Sequence, residues 1–228
     1  MYKKKKILAL IPARKGSKSI INKNLLKIKK QTLVEIAIKS AKKSKFLSNI
    51  IITSDDVRIL NLAKKNKIET IKRKKNLSED KSLMFDVVLD VVKKYDQYEY
   101  IMILQVTNPF RDSKVIDEAI KKIINSDADT LVSVSKIDDV HPSRMYRLNK
   151  KFLKPYDKKK QSSNRQDLEE LYHRNGLIYI FKKENLFNFQ NFYGKKILPL
   201  VLDKKYSINI DSYFDYEIAK LYYEKKNN

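Results

Sequence analysis

The sequence predicts an α/β fold, a single domain of three layers, α/β/α, built on a mostly parallel sheet. Three observations predict it. Short apolar runs rich in Ile, Leu and Val, too brief for buried helices, alternate with stretches whose apolar residues recur at helical spacing. Nearly every run breaks into a polar or charged loop, as strands do where a parallel sheet collects its ligands at their carboxyl ends. The chain of 228 residues, 42% hydrophobic, has the core for one domain spanning 1–228 and little more.

The elements follow in order. Ile7 to Ile11 is a buried strand that breaks at Pro12 into a loop bearing Arg14, Lys15, Gly16, Ser17, Lys18, Lys23 and Asn24. Thr32 is placed to cap a helix marked by Leu33, Ile36, Ala37, Ser40 and Ala41. Asn49 to Thr53 is the second strand, and Val57, Leu60 and Ala63 mark the next helix. A short strand at Glu69 to Ile71 leads through Arg73 to a polar segment, Asn76 to Ser82. Met84, Val87, Val88, Val91 and Val92 form a helical stripe. Tyr100 to Leu104 is a strand running into Gln105 to Arg111, and Ser113 is expected to cap the helix that carries Val115, Ile116, Ala119, Ile120 and Ile123. After the strand Thr130 to Val134, regularity lapses from 136 to 166, an irregular excursion holding Pro142 and Pro155. Leu177 to Phe181 and Ile197 to Val201 are further strands, and the last helix runs through Phe214, Ile218, Leu221 and Tyr222, capped by Asp211 or Ser212.

Composition removes several kinds of chemistry. With no cysteine there is neither a disulfide framework nor a thiolate, and with His141 and His173 alone a multi-histidine zinc centre has no ligands. Each histidine is expected to be structural. The charge of +23, from 50 Lys plus Arg against 27 Asp plus Glu, would by itself point to nucleic acid or an anionic membrane. The lysines are spread along the whole chain and no helix-turn-helix, zinc-finger or RRM signature accompanies them, so neither partner is expected. No apolar run reaches the roughly 18 residues of a transmembrane helix. No cleavage pattern follows Met1, and a cytoplasmic location is expected.

A strand ending in cations implies an anion to hold, and Gly16 lets the backbone turn tightly or approach a ligand. The loop is neither of the two common glycine-rich phosphate loops. It resembles instead the signature I-P-A-R-x-G-S-K-G-[IL]-P-x-K-N of the CMP-sugar synthetases, the acylneuraminate cytidylyltransferase family. Ile11, Pro12, Ala13, Arg14, Gly16, Ser17, Lys18, Lys23 and Asn24 match; Ser19 stands for the second glycine and Ile21 for the proline. Three more stretches match in order. Leu104-Gln105-Val106-Thr107-Asn108-Pro109-Phe110-Arg111 is similar to L-Q-P-T-S-P-L-R. Arg165-Gln166-Asp167-Leu168 with Tyr172-His173-Arg174-Asn175-Gly176-Leu177-Ile178-Tyr179 is similar to R-Q-x-L with R-x-N-G-x-I-Y. Ile208-Asn209-Ile210-Asp211 with Asp215 is similar to I-D-I-D-x-x-x-D, with Asn209 replacing an aspartate. His141-Pro142-Ser143-Arg144 is a weaker fifth match.

The resemblance implies a nucleotidyltransferase (Rossmann-like) sheet and a reaction in which CTP and a nine-carbon 2-keto acid sugar give the CMP-sugar and pyrophosphate. Sialic, legionaminic and pseudaminic acids are the acceptors it implies. Arg14, Gly16, Ser17, Lys18, Lys23 and Asn24 would hold the nucleotide's phosphates and ribose, and Arg73 and Ser82 its cytosine. Gln105, Thr107, Arg144, Arg165, Gln166 and Tyr179 would face the sugar. Asp211 and Asn209 would hold Mg²⁺, with Arg14, Lys23 and Asp211 as the catalytic set. Residues 209 and 211 alternate onto one face of an extended segment. An amide oxygen there can coordinate Mg²⁺ but brings no charge, so more of the ligand field must come from nucleotide and water. Homodimers are common in the family, the excursion of 136–166 packing on the partner and helping to close its sugar site. A 3-deoxy-octulosonate acceptor and a non-catalytic nucleic-acid-binding protein are the alternatives. A nicotinamide dehydrogenase would have the acidic residues it needs at Asp55 and Asp56 but lacks the glycine pattern.

Overall fold

A computed structural model describes residues 1–225 apart from 18, 80, 138–139, 158–163, 165 and 167. Lys18 and Arg165, both expected in the site, lie outside the described residues. The strands and helices are β1 (Ile7–Pro12), the short pair β2 (Lys27–Ile28) and β3 (Gln31–Thr32), α1 (Leu33–Lys42), β4 (Asn49–Ser54), α2 (Val57–Lys65), β5 (Glu69–Lys72) and α3 (Met84–Val92). There follow β6 (Tyr100–Ile103), α4 (Ser113–Ile124), β7 (Thr130–Lys136), β8 (Tyr146–Asn149), β9 (Phe152–Pro155), β10 (Tyr172–Lys182), α5 (Asn185–Asn188), β11 (Ile197–Val201) and α6 (Tyr213–Lys225).

Seven strands form one sheet in the order β11-β7-β10-β6-β1-β4-β5. All run the same way except β10, which is antiparallel to both β6 and β7. Period-2 alternation gives each strand two apolar faces, so β1 reads as a continuous apolar run. Ile7, Ala9 and Ile11 pack with buried residues of α1, α2, α4 and α6, while Leu8 and Leu10 pack with Val88, Val91 and Val92 of α3. The three layers expected are present.

Helix ends follow local chemistry. Thr32 caps α1 in a reciprocal capping box with Glu35. Ser212 accepts from the Asp215 N–H at 3.2 Å while Asp215 accepts from the Ser212 N–H at 2.7 Å, so Ser212 caps α6. The expected cap at Ser113 is corrected: Asp112 caps α4, accepting from the Val115 N–H at 3.0 Å, and Ser113 is the first helical residue. In α6 the buried helical face carries Ala219, whereas Phe214 and Leu221 are exposed.

The excursion is also more regular than expected. Its centre is an antiparallel hairpin, β8 and β9, in which Leu148 pairs with Leu153 and Tyr146 with Pro155. The turn follows Asn149 and places Lys150, at φ 54, in the left-handed position that glycine or asparagine usually takes. His141 is buried and structural: Nδ1 accepts from the Ser143 N–H at 3.2 Å, and Nε2 lies 3.2 Å from the Glu169 carbonyl, which fixes the proton on Nε2.

Candidate active site

Because β10 runs backwards, its first residues arrive at the same edge as the carboxyl ends of the parallel strands. That edge gathers the loops after β1, β4, β5 and β6, the start of β10 and the turn before α6.

The loop after β1 is tied down at several points. The Ala13 N–H donates to the Thr53 carbonyl at 3.0 Å and the Lys15 N–H to Asp55 Oδ1 at 2.7 Å. Asn24 Nδ2 donates to the Arg14 carbonyl at 2.8 Å, so Asn24 braces the loop. Asn22 holds a left-handed conformation, φ 55, and Arg58 Nη2 reaches its side-chain oxygen at 2.7 Å. Arg58 in turn grips Asp56 through Nε and Nη2, the latter at 2.6 Å, which holds that carboxyl below its usual range. Gly16 is not in the left-handed region, and a Cβ built on it would meet nothing within 4 Å. Of the two uses expected of it, tight turning is not the one found; open space before the loop remains. Ser17 Oγ lies 3.5 Å from Ser19 Oγ.

Beneath this loop Arg73 is buried, donating to the Thr53 carbonyl at 3.0 Å. Burial pushes its guanidinium down to about 10; the charge of Asp55 opposes this and that of Arg14 adds to it, so the three groups share one neighbourhood. Arg73 stays cationic at neutral pH. Ser82 Oγ closes the preceding loop on the Asn76 carbonyl at 2.7 Å.

The loop after β6 meets β10 and the turn before α6. The Gln105 side chain lies over Gly176, which has φ +74; a Cβ there would stand 3.1 Å from Gln105 Oε1. Arg111, 3% exposed, donates through Nη1 to the carbonyls of Gln105 and Leu177, each at 3.0 Å. Burial pushes it down to about 9, so it is a charged internal brace and not a ligand-facing group. The Thr107 carbonyl accepts from the Ile210 N–H at 2.9 Å, and Asn108 Nδ2 reaches the Tyr206 carbonyl at 2.6 Å. Tyr179 is half-buried, its hydroxyl pushed up by that burial against the opposing charge of Arg174. Arg174 stacks on the Tyr193 ring, 5.3 Å to its centroid, and bonds its hydroxyl. Phe192 packs on Phe181 and Phe85 beside them.

Lys23 Nζ donates to Asp211 Oδ1 at 2.8 Å, joining the loop after β1 to the turn before α6. Asn209 Nδ2 donates to Asp211 Oδ2 at 2.5 Å, and Asn209 Oδ1 is buried with no hydrogen-bond partner among the described residues. Among the described residues no group of three or more His, Asp or Glu converges. One carboxylate and one amide oxygen fit Mg²⁺ only as that ion is commonly bound, with most of its shell from substrate phosphates and water.

The structure therefore brings together Arg14, Arg73 and the loop of Gly16 and Ser17, with Lys23, Asp211 and Asn209, and Gln105 with the Gly176 bulge. Arg144 and Gln166 lie instead on the excursion, both exposed; Gln166 lines a separate cleft with Lys136, His141 and Glu169. Arg58 and Asn22 were missed by sequence reasoning, because an i, i+2 grip on a capping aspartate and a left-handed asparagine have no motif of their own. Arg174 stands in the sequence match without a role, and its partner Tyr193 was not singled out, though an arginine near an aromatic cluster is a readable signal.

The sequence model of the family described as Cytidylyltransferase matches residues 8–223. N-acylneuraminate cytidylyltransferase of Escherichia coli O18:K1:H7 is 33% identical over 225 residues, 97% of this chain and 53% of that protein. The chain thus spans about half the length of that relative. Pseudaminic acid cytidylyltransferase of Campylobacter jejuni is 26% identical over 96% of this chain and 97% of its own. CMP-N,N'-diacetyllegionaminic acid synthase of the same species is 29% identical over 97% and 96%. In fold, the chain is similar to CMP:2-keto-3-deoxy-manno-octonic acid synthetase complexed with CTP, at a TM-score of 0.76, 15% identity and coverage of 97% and 99%. The fold is also that of 4-diphosphocytidyl-2C-methyl-D-erythritol synthase, at a TM-score of 0.71, 14% identity and coverage of 96% and 98%. With a match running from β1 into α6, the chain belongs to the cytidylyltransferase family.

Proposed function

We propose that the protein transfers CMP from CTP to the anomeric hydroxyl of a nine-carbon 2-keto acid sugar, releasing pyrophosphate. The observation that carries this reading is the Lys23–Asp211 pair, which sets a cation from the loop after β1 against a carboxylate from the turn before α6. Relatives named for N-acylneuraminate, pseudaminic acid and legionaminic acid support the acceptor class. The anomeric oxygen forms a new bond to the α-phosphorus, the bond from that phosphorus to the bridging oxygen breaks, and pyrophosphate leaves with the bonding electrons. The anomeric proton passes to solvent or a basic oxygen nearby.

Negative charge grows on the bridging and equatorial oxygens, so positioning and cations supply most of the acceleration. Arg14, Ser17 and Lys23 hold the phosphates, and buried Arg73 anchors the base end. Asp211 and Asn209 would hold Mg²⁺, which when bound would supply charge neutralisation at the phosphates. As nucleotide enters, Lys23 exchanges Asp211 for phosphate, which releases the carboxylate. Gln105, Thr107 and Tyr179 face the acid sugar. The working unit is a homodimer in the cytoplasm, the hairpin of one protomer closing the sugar side of its partner.

Pyrophosphate release from CTP with Mg²⁺ is the test, with N-acetylneuraminic, legionaminic, pseudaminic and 3-deoxy-octulosonic acids in parallel and ATP, GTP and UTP as controls. Release with CTP and a nine-carbon acid is expected. Release with the eight-carbon acid alone, or with none, overturns the reading.

A further inference from the structure

Behind the sugar side lies a chain of polar side chains that the reaction scheme does not use. Ser133 and Ser135, on β7, are buried, as is Asn175 at the bulge of β10. Ser133 Oγ donates to Asn175 Oδ1 at 2.6 Å, and Asn175 Nδ2 donates to Ser135 Oγ at 3.0 Å. Asn175 Oδ1 also accepts from the Leu177 N–H at 3.2 Å, so the amide faces inward and not toward a ligand. Ser207 Oγ then donates to Ser135 Oγ at 2.6 Å. Ser207 ends the short turn Lys204–Ser207, two residues before Asn209. The relay thus joins the bulge on which Gln105 rests to the turn that presents Asn209 and Asp211.

From this geometry we infer that Ser207 is a positioning residue for transfer: it fixes the turn that carries Asp211 relative to the bulge that carries Gly176, and so sets acceptor against phosphate. Of the turn's other anchors, Lys23 to Asp211 binds it to the loop after β1, while Asn108 to the Tyr206 carbonyl and the Ile210 N–H to the Thr107 carbonyl bind it to the loop after β6. Ser207 ties it to β7 and, through Asn175, to β10. Displacements under an ångström between reacting groups are costly to turnover while leaving each ligand's own contacts intact.

The inference rests on the CMP-transfer reading, and its test separates the two. Ser207→Ala should lower kcat about tenfold while KM for CTP and for the acid stays within about twofold, and Ser207→Thr, which keeps the hydroxyl, should recover most of it. Unchanged kcat in Ser207→Ala, or equal losses in both variants that track their melting temperatures, overturns the inference. If the wild type transfers CMP to no acid, the functional reading fails, and hydrogen exchange still judges the anchor. Exchange at the Ile210 amide should quicken at least about fivefold in Ser207→Ala; unaltered exchange there overturns it.

Discussion

The loop after β1 and the hairpin of β8 and β9 are opposite solutions to presenting side chains from a sheet. The loop is braced through Ala13, Lys15, Asn22 and Asn24 to β1's neighbour, to α2 and to itself. Among the described residues the hairpin pairs only with itself, and one of its faces carries Tyr146, Leu148, Leu153 and Pro155, with Leu148 73% and Leu153 64% exposed. Its other face carries Arg147, Phe152 and Lys154. A two-stranded ribbon with an open apolar face is barely stable in water without something packed on it. The loop after β1 is therefore finished within one chain, whereas the hairpin presents an apolar surface that is open among the described residues.

The largest effect is expected at the braced side. Lys23→Ala should lower turnover at saturating CTP by at least about a hundredfold, or about 3 kcal/mol, because a cation on the leaving phosphates acts most in the transition state. Steady-state pyrophosphate release decides this, and a change in KM alone removes Lys23 from the catalytic set. At the open side, Leu148→Glu with Leu153→Glu should halve the mass seen by sedimentation and raise KM for the acid about tenfold, with CTP affinity within about twofold. A mass equal to that of the wild type would erase the contrast between the two regions.

Two smaller effects sharpen it. Asn209→Asp adds a charge next to Asp211 and should lower the Mg²⁺ concentration for half activity several-fold; a Mg²⁺ titration with no shift removes Asn209 from the metal set. Asp56→Asn loosens the brace from Arg58 to Asn22 and should cost about 1–2 kcal/mol in denaturant unfolding at pH 7. Since Arg58 holds the Asp56 carboxyl below its unfolded value of about 3.9, the wild type's advantage is full above that pH and fades as pH falls through the folded value. An advantage that persisted at pH 2 would mean that the charge is not its source.

Most of the sheet was legible because its strands are buried on both faces and therefore read as uninterrupted apolar runs, β1 above all. β10 was read short, as 177–181, because its first residues, Tyr172 to Arg174, are exposed and polar and lie before the bulge. The hairpin was read as irregular because its turn hides behind Lys150 and its apolar face is solvent-exposed. At the site, the motif residues fall on loops that gather at one edge of the sheet, but the sequence does not distinguish a residue that faces outward from one that braces its neighbour. Asn24, Ser82 and Arg111 each brace a carbonyl, and Gly16 keeps an open approach with an ordinary φ.

The reversed strand has a consequence for how the chain assembles. β10 lies between β6 and β7, pairing residues 179–182 with 100–103 and residues 172–181 with 130–136. During synthesis β1, β4, β5 and β6 can pair as they emerge, but β7 has no neighbour there until residue 182 has been made. The half-built sheet exposes two bare edges facing one slot, and closing it requires contacts across dozens of residues, the slow kind. Gly176, Tyr179 and the Asn175 relay all arrive with that insertion. That stretch of the sheet is thus completed only once β10 inserts, with β11 and α6 still to follow, and a ribosome stalled before β10 would hold a chain whose loop after β1 lies beside an open, strand-wide gap that invites pairing with other chains.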